Sequence, residues 1–145
     1  MLRAEGIEVD ILPATVPPRY WADAFVAIHA DGNPDPRVSG YKVAPPWRDW
    51  SNSADELSAA VDASYSATTG LAFDPNITRN MRGYYAFSFW RFEHAVHPLT
   101  TSIIVETGFL TSPADRRLIV NQPEVAAQGI AGGVLEYLRG QGLIQ

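Results

Sequence analysis

The sequence predicts a single α/β domain over residues 1–145, with a mostly parallel sheet flanked by helices on both faces. Two apolar runs, Ala24–Ile28 and Ser102–Val105, are typical of strands that are buried on both faces of a parallel sheet. Helical periodicity marks residues 53–70, between these runs, and residues 123–138, after them. Strands that alternate with helices in this way indicate an α/β architecture.

Three further segments have the composition of strands. Ile7–Leu12 alternates apolar and acidic residues before becoming fully apolar, and a proline follows it. Gly40–Ala44 is a short strand candidate that also stops at a proline. Tyr84–Phe89 is rich in the aromatic residues that strands favour. These segments would extend the sheet beyond its two buried strands.

The helix boundaries follow from capping signals. Ser53–Glu56 has the form of a capping box, and apolar residues recur at helical spacing after it until Gly70. A proline at the favoured first position begins a short helix after Ser112. The last helix begins near Asn121, and its glycine pair, Gly132 and Gly133, predicts close packing of this helix against the sheet.

Composition excludes several classes of protein. The chain is 46% hydrophobic and carries a net charge of −5 with no basic stripe, which argues against a nucleic-acid partner. It has no cysteine, which excludes disulfide scaffolds, thiol catalysis and cysteine zinc sites. No apolar run reaches the roughly 18–20 residues of a membrane span. The first residues also lack the apolar core of a signal peptide.

Two polar residues terminate the two buried strands. His29 follows the first apolar run and Glu106 follows the second. Ligand sites in open α/β sheets lie beyond the carboxyl ends of the strands. If the two strands are parallel neighbours, His29 and Glu106 converge on one crevice, where they suit a metal ligand and a general base. The alternative is that each residue simply ends its strand at the solvent.

The residues around both positions resemble zinc-dependent N-acetylmuramoyl-L-alanine amidases of the Amidase_3 type. Ala22–Asp31 is similar to the family pattern AD-x-F-V-S-I-H-A-N, and Ile103–Ser112 is similar to L-V-E-x-G-F-L-S-N. The resemblance continues in Arg82-Gly83, in the helix start Pro113–Arg117 and in the terminal helix segment Ala126–Leu138. The likeness runs over nearly the whole chain.

The resemblance implies a cell-wall hydrolase. Enzymes of this family cut the amide between N-acetylmuramic acid and L-alanine in peptidoglycan, as autolysins do, with a zinc ion that activates a water. By this resemblance His29 is the last zinc ligand and Glu106 is the catalytic general base and acid. It also implies an extracellular, periplasmic or cell-wall location, with peptidoglycan as the partner.

The sequence departs from the family at its front. The family's first zinc ligand lies in a G-H-G-G turn and its second is a glutamate on the following helix, whereas Arg3–Gly6 reads only as the tail of such a helix. We therefore expect an N-terminally truncated domain whose zinc site is completed by an upstream segment or by a second chain. Glu5 and Glu8 are weak substitutes, since both should lie at the opposite sheet edge. The alternative function is a non-catalytic peptidoglycan-binding or structural remnant of the fold.

Other residues have possible site roles. His94 and His97 form an H-x-x-H pair, in which His94 is the better candidate for an extra metal ligand because it is expected near the crevice. Arg91 suits a stem-peptide carboxylate, with an exposed solubilising arginine as the alternative. Four tryptophans are typical either of a sugar-stacking surface or, more commonly, of core and rim packing: Trp21, Trp47, Trp50 and Trp90.

Overall fold

The computed structural model describes residues 1–145 and contains three strands, β1 (Ala24–Asp31), β2 (Lys42–Ala44) and β3 (Thr101–Phe109). They form one sheet in the order β1-β3-β2. β1 runs parallel to β3, whereas β2 runs antiparallel to it. The connection at residues 32–41 contains no helix, so the chain turns back instead of making a parallel crossover. The α/β class is confirmed, but the sheet is mixed and not mostly parallel.

Four α-helices accompany the sheet. They are α1 (Ala54–Thr69), α2 (Arg79–Arg82), α3 (Pro113–Ile119) and α4 (Pro123–Gly140). The three predicted helices are confirmed, and α1 ends at Gly70 in the left-handed conformation that glycine adopts without strain. α2 is a four-residue helix that was not predicted. No helix is long and apolar enough to span a bilayer.

One face of the sheet is covered by α1 and α4, which pack against each other. The helical spacing of apolar residues in 123–138 predicts one buried face of α4, and this is confirmed. The residues of that face are all buried: Ala126, Ile130, Val134, Tyr137 and Leu138. The buried residues of this core are Tyr41, Val43, Leu57, Val61, Tyr65, Ile103, Val105, Ala126, Ile130, Val134, Tyr137 and Leu138. Its two deepest tyrosine hydroxyls are satisfied, since Tyr65 donates to the Thr107 carbonyl at 2.7 Å and Tyr137 donates to the Thr101 hydroxyl at 3.0 Å.

The opposite face is covered by irregular chain. Sheet residues Ala27, Ala44 and Ile104 pack there against Met81 of α2 and against Phe87. Phe87 belongs to a single turn of 3-10 helix, Tyr85–Phe87. The prediction of helices on both faces is therefore not confirmed, since the two long helices share one face and short turns cover the other.

Two of the predicted strands are wrong. Ile7–Leu12 forms no ladder, and Ile11 is 88% exposed. Alternation alone does not make a strand when no neighbouring strand offers its backbone groups. Tyr84–Phe89 turns instead of extending, because its aromatic rings pack edge to face against one another, with 5.6 Å between the Tyr84 and Phe87 centroids.

The start of α1 also differs from its prediction. The Ser53 side chain caps no backbone amide. The carboxylate of Asp49 does so instead, and accepts a hydrogen bond from the Ala54 N–H at 2.8 Å. The helix therefore begins where predicted, but its capping side chain is that of Asp49, four positions before Ser53. The S-x-x-E pattern does not indicate this cap.

Glycines let α1 and α4 approach backbone to backbone. A Cβ atom on Gly133 would lie 2.4 Å from the Val61 Cα and 2.7 Å from the Ala60 carbonyl oxygen. A Cβ atom on Gly129 would lie 3.0 Å from Tyr65. The glycine pair of α4 does mark a close contact, but its partner is α1 and not the sheet as predicted.

Asp115 ties the ends of β2 and β3 together. This carboxylate is fully buried and accepts hydrogen bonds from the backbone N–H groups of Gly40 at 3.0 Å and Phe109 at 2.8 Å. The hydroxyls of Ser39 and Ser112 donate to its other oxygen. Because four donors converge on one side chain, the segment before β2 and the end of β3 are held in fixed positions.

Gly133→Ala should destabilise the fold by about 1–3 kcal/mol, because α1 must move away to admit the new methyl group. The matched control is Gly140→Ala in the same helix, where nothing lies within 4 Å and alanine should stabilise by up to about 1 kcal/mol. Urea denaturation of the two variants measures both changes. Equal stability of the two variants would contradict the close helix contact.

Asp115→Ala should cost about 3–5 kcal/mol, because two buried N–H groups lose their only acceptor. Thermal and chemical unfolding measure the loss. Asp23→Ala is the control, since Asp23 is exposed and accepts no hydrogen bond from another residue. An Asp115→Ala variant as stable as the control would show that the carboxylate does not hold the two strand ends.

Candidate active site

His29 and Glu106 stand side by side on neighbouring strands. They are paired residues in the parallel ladder between β1 and β3, so their side chains leave the same face of the sheet. That face is the one covered by irregular chain. Every second residue of a strand points to the same face, so His29 shares the face of Ala27, and Glu106 shares the face of Ile104. The predicted parallel pairing of these two strands is confirmed, and it brings the two predicted site residues together.

The Glu106 carboxyl group is half-buried and incompletely paired. Its Oε2 atom is buried and has no hydrogen-bond partner. The pKa of Glu106 is raised to about 7, chiefly by burial and to a smaller extent by the charge of Asp31, while the charge of Lys42 acts in the opposite direction. A buried polar atom without a partner costs stability, so proteins keep such atoms mainly where function requires them. A carboxyl group of this pKa exchanges protons readily at neutral pH.

A buried lysine stands on the other side of Glu106. Lys42 is the partner of Glu106 in the antiparallel ladder between β2 and β3 and is only 4% exposed. Its ammonium group pairs with Asp31 and, at 3.4 Å, with Asp74. Burial lowers the pKa of Lys42, but the hydrogen bond and charge of Asp31 and the charge of Asp74 offset this, so the net pKa is raised.

Sequence reasoning missed this charged cluster. The signal was a lysine between Tyr41 and Val43 in an otherwise apolar strand, since a lysine buried in a strand requires carboxylate partners. Asp31 and Asp74 are those partners, yet they lie in loops or strand ends that only the fold brings together. The cluster ties up the ammonium group, so Glu106 keeps an unpaired oxygen although a lysine is its neighbour.

The imidazole of His29 lies against an aromatic ring. Its centroid is 4.9 Å from that of Tyr84, with the two rings perpendicular. Burial lowers the pKa of His29, which favours the neutral imidazole at neutral pH. Neutral imidazole is the form that binds a metal ion. The main-chain carbonyl of His29 accepts a hydrogen bond from the Thr107 hydroxyl at 2.8 Å, and this bond fixes the backbone that carries the ring.

These residues alone do not fit a zinc ion. No three histidine, aspartate or glutamate side chains come together in an arrangement that could hold a metal. A catalytic zinc needs three protein ligands and an open position. The two glutamates considered as substitute zinc ligands do not join His29. Glu5 forms an ion pair with Arg139 at 3.3 Å, and Glu8 is exposed to solvent. His29 by itself does not make such a site.

The other candidate ligand, His94, lies on a connection and not beside His29. Its Nδ1 atom is 3.1 Å from the Val16 carbonyl oxygen. Two residues later Val96 pairs with Tyr20, upstream of β1, so this connection runs at the amino end of the strands. His97 accepts a hydrogen bond from the Leu99 N–H at 3.2 Å in the same region. His29 lies toward the carboxyl end of β1, so nothing here supports the H-x-x-H pair as its partner.

Arg91 and the tryptophans lie at the surface. The Arg91 guanidinium group stands 5.1 Å from the Phe92 ring centroid and forms no ion pair. All four tryptophans are at least half exposed, which argues against a core position but agrees with packing at the rim: Trp21 61%, Trp47 56%, Trp50 51% and Trp90 51%. Of the four, only Trp50 and Trp90 share a ring neighbour, which is Phe89.

The chain has relatives of known class. Residues 14–136 match the family model described as N-acetylmuramoyl-L-alanine amidase. No curated protein sequence matches the chain. The matched segment includes both strands of the site and most of the two long helices.

Three solved structures have a similar fold. The catalytic domain of the amidase CwlV from Bacillus (Paenibacillus) polymyxa is 20% identical, with a TM-score of 0.56 over 81% of this chain and 59% of that one. The CwlD amidase of Clostridioides difficile, solved with the GerS lipoprotein, is 19% identical, with a TM-score of 0.57 over 81% and 55%. The Ami1 amidase of Mycobacterium abscessus is 25% identical, with a TM-score of 0.56 over 80% and 55%.

The chain therefore spans 55–59% of the length of these amidase structures. Within this chain, His29 and Glu106 are paired residues of the parallel ladder. The family model covers most of the chain and includes both positions. This chain belongs to the Amidase_3 family of N-acetylmuramoyl-L-alanine amidases.

Proposed function

We propose that this chain forms the His29 and Glu106 part of a peptidoglycan amidase site, which hydrolyses the amide between N-acetylmuramic acid and L-alanine. The observation that carries the proposal is the pairing of His29 with Glu106 in the parallel ladder, with one carboxylate oxygen buried and unpaired. Membership of the amidase family supplies the reaction class. The proposed place of action is the cell wall, outside the cytoplasm.

Glu106 is the proton-transferring group of this proposal. A general base works best when its pKa lies near the working pH, and burial raises the pKa of Glu106 to about 7. The Glu106 carboxylate accepts the proton of the attacking water and returns it to the departing amine of L-alanine. The lysine neighbour does not compete for this carboxylate, because Asp31 and Asp74 hold its ammonium group.

His29 is the one metal ligand that this chain contributes, and we propose that the others come from polypeptide outside these 145 residues. β1 is an edge strand, so its outer backbone groups are free to receive a further strand beside His29. An upstream segment of the same protein is one source. A second chain is another, and the similar CwlD amidase was solved with a protein partner. Zinc is the ion that the family resemblance implies.

A second candidate is a peptidoglycan-binding or structural module without catalysis. The absence of a three-ligand group favours it, because a hydrolase that depends on a metal cannot work with His29 alone. The two candidates differ in one respect that can be measured. Only the amidase gains both zinc and hydrolysis when the ligand set is completed.

The 145-residue chain should hold well under one zinc per chain after dialysis and should release almost no amino groups from purified sacculi. Extending it at its N-terminus by the residues encoded immediately upstream, or adding these as a second polypeptide, should restore zinc and activity together. Metal analysis and an amine-release assay measure the two quantities. Stoichiometric zinc on the chain alone would contradict the incomplete ligand set.

Two variants of the restored protein separate the roles of the site residues. His29→Ala should lose both zinc and activity, whereas Glu106→Gln should keep zinc and lose activity by about 10²–10⁴-fold. His97→Ala is the matched control and should change neither. A restored protein that binds zinc but releases no L-alanine amino groups would replace the amidase proposal with the binding module.

Replacing Glu106 by glutamine should change how the stability of the metal-free chain depends on pH. The folded protein binds the Glu106 proton more tightly than the unfolded chain, since its pKa is raised from 4.5 to about 7. The wild type should therefore lose stability relative to Glu106→Gln as the pH rises from about 4.5 to above 7. We expect on the order of 1–2 kcal/mol, less than the full linkage because the side chain is half exposed.

Chemical denaturation at pH 4.5 and pH 8, with a chelator present, measures this difference. The two proteins should be closest in stability at the lower pH, where the wild-type carboxyl group is protonated and resembles the amide. A stability difference that is the same at both pH values would show that the carboxyl group is not held in the buried setting described above.

A further inference from the structure

An exposed groove lies apart from the His29 and Glu106 pair. It encloses about 430 Å³ and is lined by Arg19, Phe89, Trp90, Arg91, Phe92 and Glu93, which we call the aromatic groove. Trp90 is 51% exposed and Phe92 is 37% exposed, although both are large apolar side chains. Rings left open in a concave surface are typical of binding sites.

The rings of the groove are fixed by one another. Phe89 is the central ring, with its centroid 5.4 Å from Trp90 and 6.0 Å from Trp50, both in perpendicular arrangements. Arg48 stands 5.3 Å from the Trp90 ring on one side. Because these contacts hold Trp90 in place while leaving half of it exposed, a ligand would meet a preformed surface and little ordering cost.

The charge of the groove differs from that of the chain. The chain has a net charge of −5, but the groove has two arginines against one glutamate. Neither arginine forms an ion pair within the chain, nor does Arg48 beside Trp90. Guanidinium groups without carboxylate partners next to open aromatic rings suit a ligand that has both a flat apolar face and a carboxylate.

A row of rings connects the aromatic groove to the proposed site. The Phe92 centroid is 6.3 Å from Tyr85, Tyr85 is 4.8 Å from Tyr84, and Tyr84 is 4.9 Å from His29. The groove and His29 are thus joined by consecutive side-chain contacts. The groove itself lies on the connection that runs at the amino end of the strands, so a bound polymer reaches the pair by extending along this row of rings.

We propose that the aromatic groove binds a carboxylate-bearing glycan strand, namely the peptidoglycan glycan whose lactyl groups have been freed of L-alanine. This proposal rests on the proposed function, because hydrolysis of the lactyl amide breaks its C–N bond and leaves a carboxylate on the sugar and an amine on the peptide. The apolar face of the sugar ring stacks on Trp90. The lactyl carboxylate, attached to that same ring, reaches the guanidinium group of Arg91, the next residue along the chain.

This assignment makes the groove a product-retaining surface. A neutral amide at the lactyl position gives Arg91 no charge to bind, whereas the cleaved strand carries one carboxylate on every muramic acid. The strand that has been cut is therefore held more tightly than a neutral glycan of equal length. Retention on the cut strand would keep the protein beside the next uncut position.

Binding of fluorescently labelled glycan strands to the metal-free 145-residue chain tests the proposal without any need for catalysis. The probes are denuded peptidoglycan strands with free lactyl carboxylates, neutral chitin oligosaccharides of the same length and polyglutamate. The denuded strands should bind at least about tenfold more tightly than the neutral ones, and their affinity should fall as salt is raised.

Two variants and two matched controls locate the binding surface. Trp90→Ala should weaken binding of the denuded strand by roughly tenfold, and Arg91→Gln should remove the preference over the neutral glycan. Trp47→Ala replaces an equally exposed tryptophan outside the groove, and Arg117→Gln replaces an exposed arginine on α3, so both should bind as the wild type does. Circular dichroism confirms that each variant is folded, and Trp90→Phe serves if Trp90→Ala is not.

Three results would overturn the proposal. They are equal affinity for neutral and denuded strands, equal affinity for polyglutamate, and unchanged binding by folded Trp90 and Arg91 variants. Failure of the amidase proposal gives a different set of results. The restored protein would then bind zinc but not hydrolyse peptidoglycan, while the 145-residue chain would still bind glycan. Groove-dependent preference for the denuded strand supports the proposal in either case.

Discussion

The parallel pairing of β1 with β3 is the constraint on which the rest of this structure depends. It places His29 opposite Glu106, and a slip of one residue would turn one of them toward the helices. The pairing is held from the helix side, where Ile103 and Val105 are buried against α1 and α4. The chemistry on one face of the sheet is thus fixed by apolar packing on the other.

Two polar devices complete that control. Asp115 holds the end of β3 and the approach to β2, so the strand that carries Glu106 is fixed just beyond the site. Lys42, on the neighbouring strand β2, is held by ion pairs with Asp31 and Asp74. Without those carboxylates the ammonium group would have Glu106 as its nearest anionic partner in the ladder, and a paired Glu106 would titrate at a lower pH. The acidic partners of Lys42 therefore preserve the proton affinity of Glu106.

The sequence was sufficient for features that depend on local pattern. The apolar runs before His29 and Glu106 predicted both strands, and the spacing in 123–138 predicted the buried face of α4. Both strands continue past their predicted ends, however, to Asp31 and Phe109, and β1 is not buried on both faces, since Ile28 is 62% exposed. The sequence was not sufficient where the structure of a segment depends on residues that are distant in the chain. Ile7–Leu12 has the alternation of a strand but no neighbour to pair with, and Tyr84–Phe89 has strand composition but packs its rings on one another. Lys42 was missed for the same reason, because its partners Asp31 and Asp74 are distant in sequence.

The site and the aromatic groove differ in how much they require from outside the chain. The proposed metal chemistry needs three ligands in one place, and no three candidate side chains come together here, so that proposal requires further polypeptide. Glycan binding needs only rings and guanidinium groups, and Trp90, Arg91 and Phe92 are already held in position by their neighbours. The proposed glycan binding therefore uses residues that this chain already holds in place, whereas the proposed catalysis does not. The two proposals accordingly stand on separate parts of the molecule, and the first does not depend on a completed metal site.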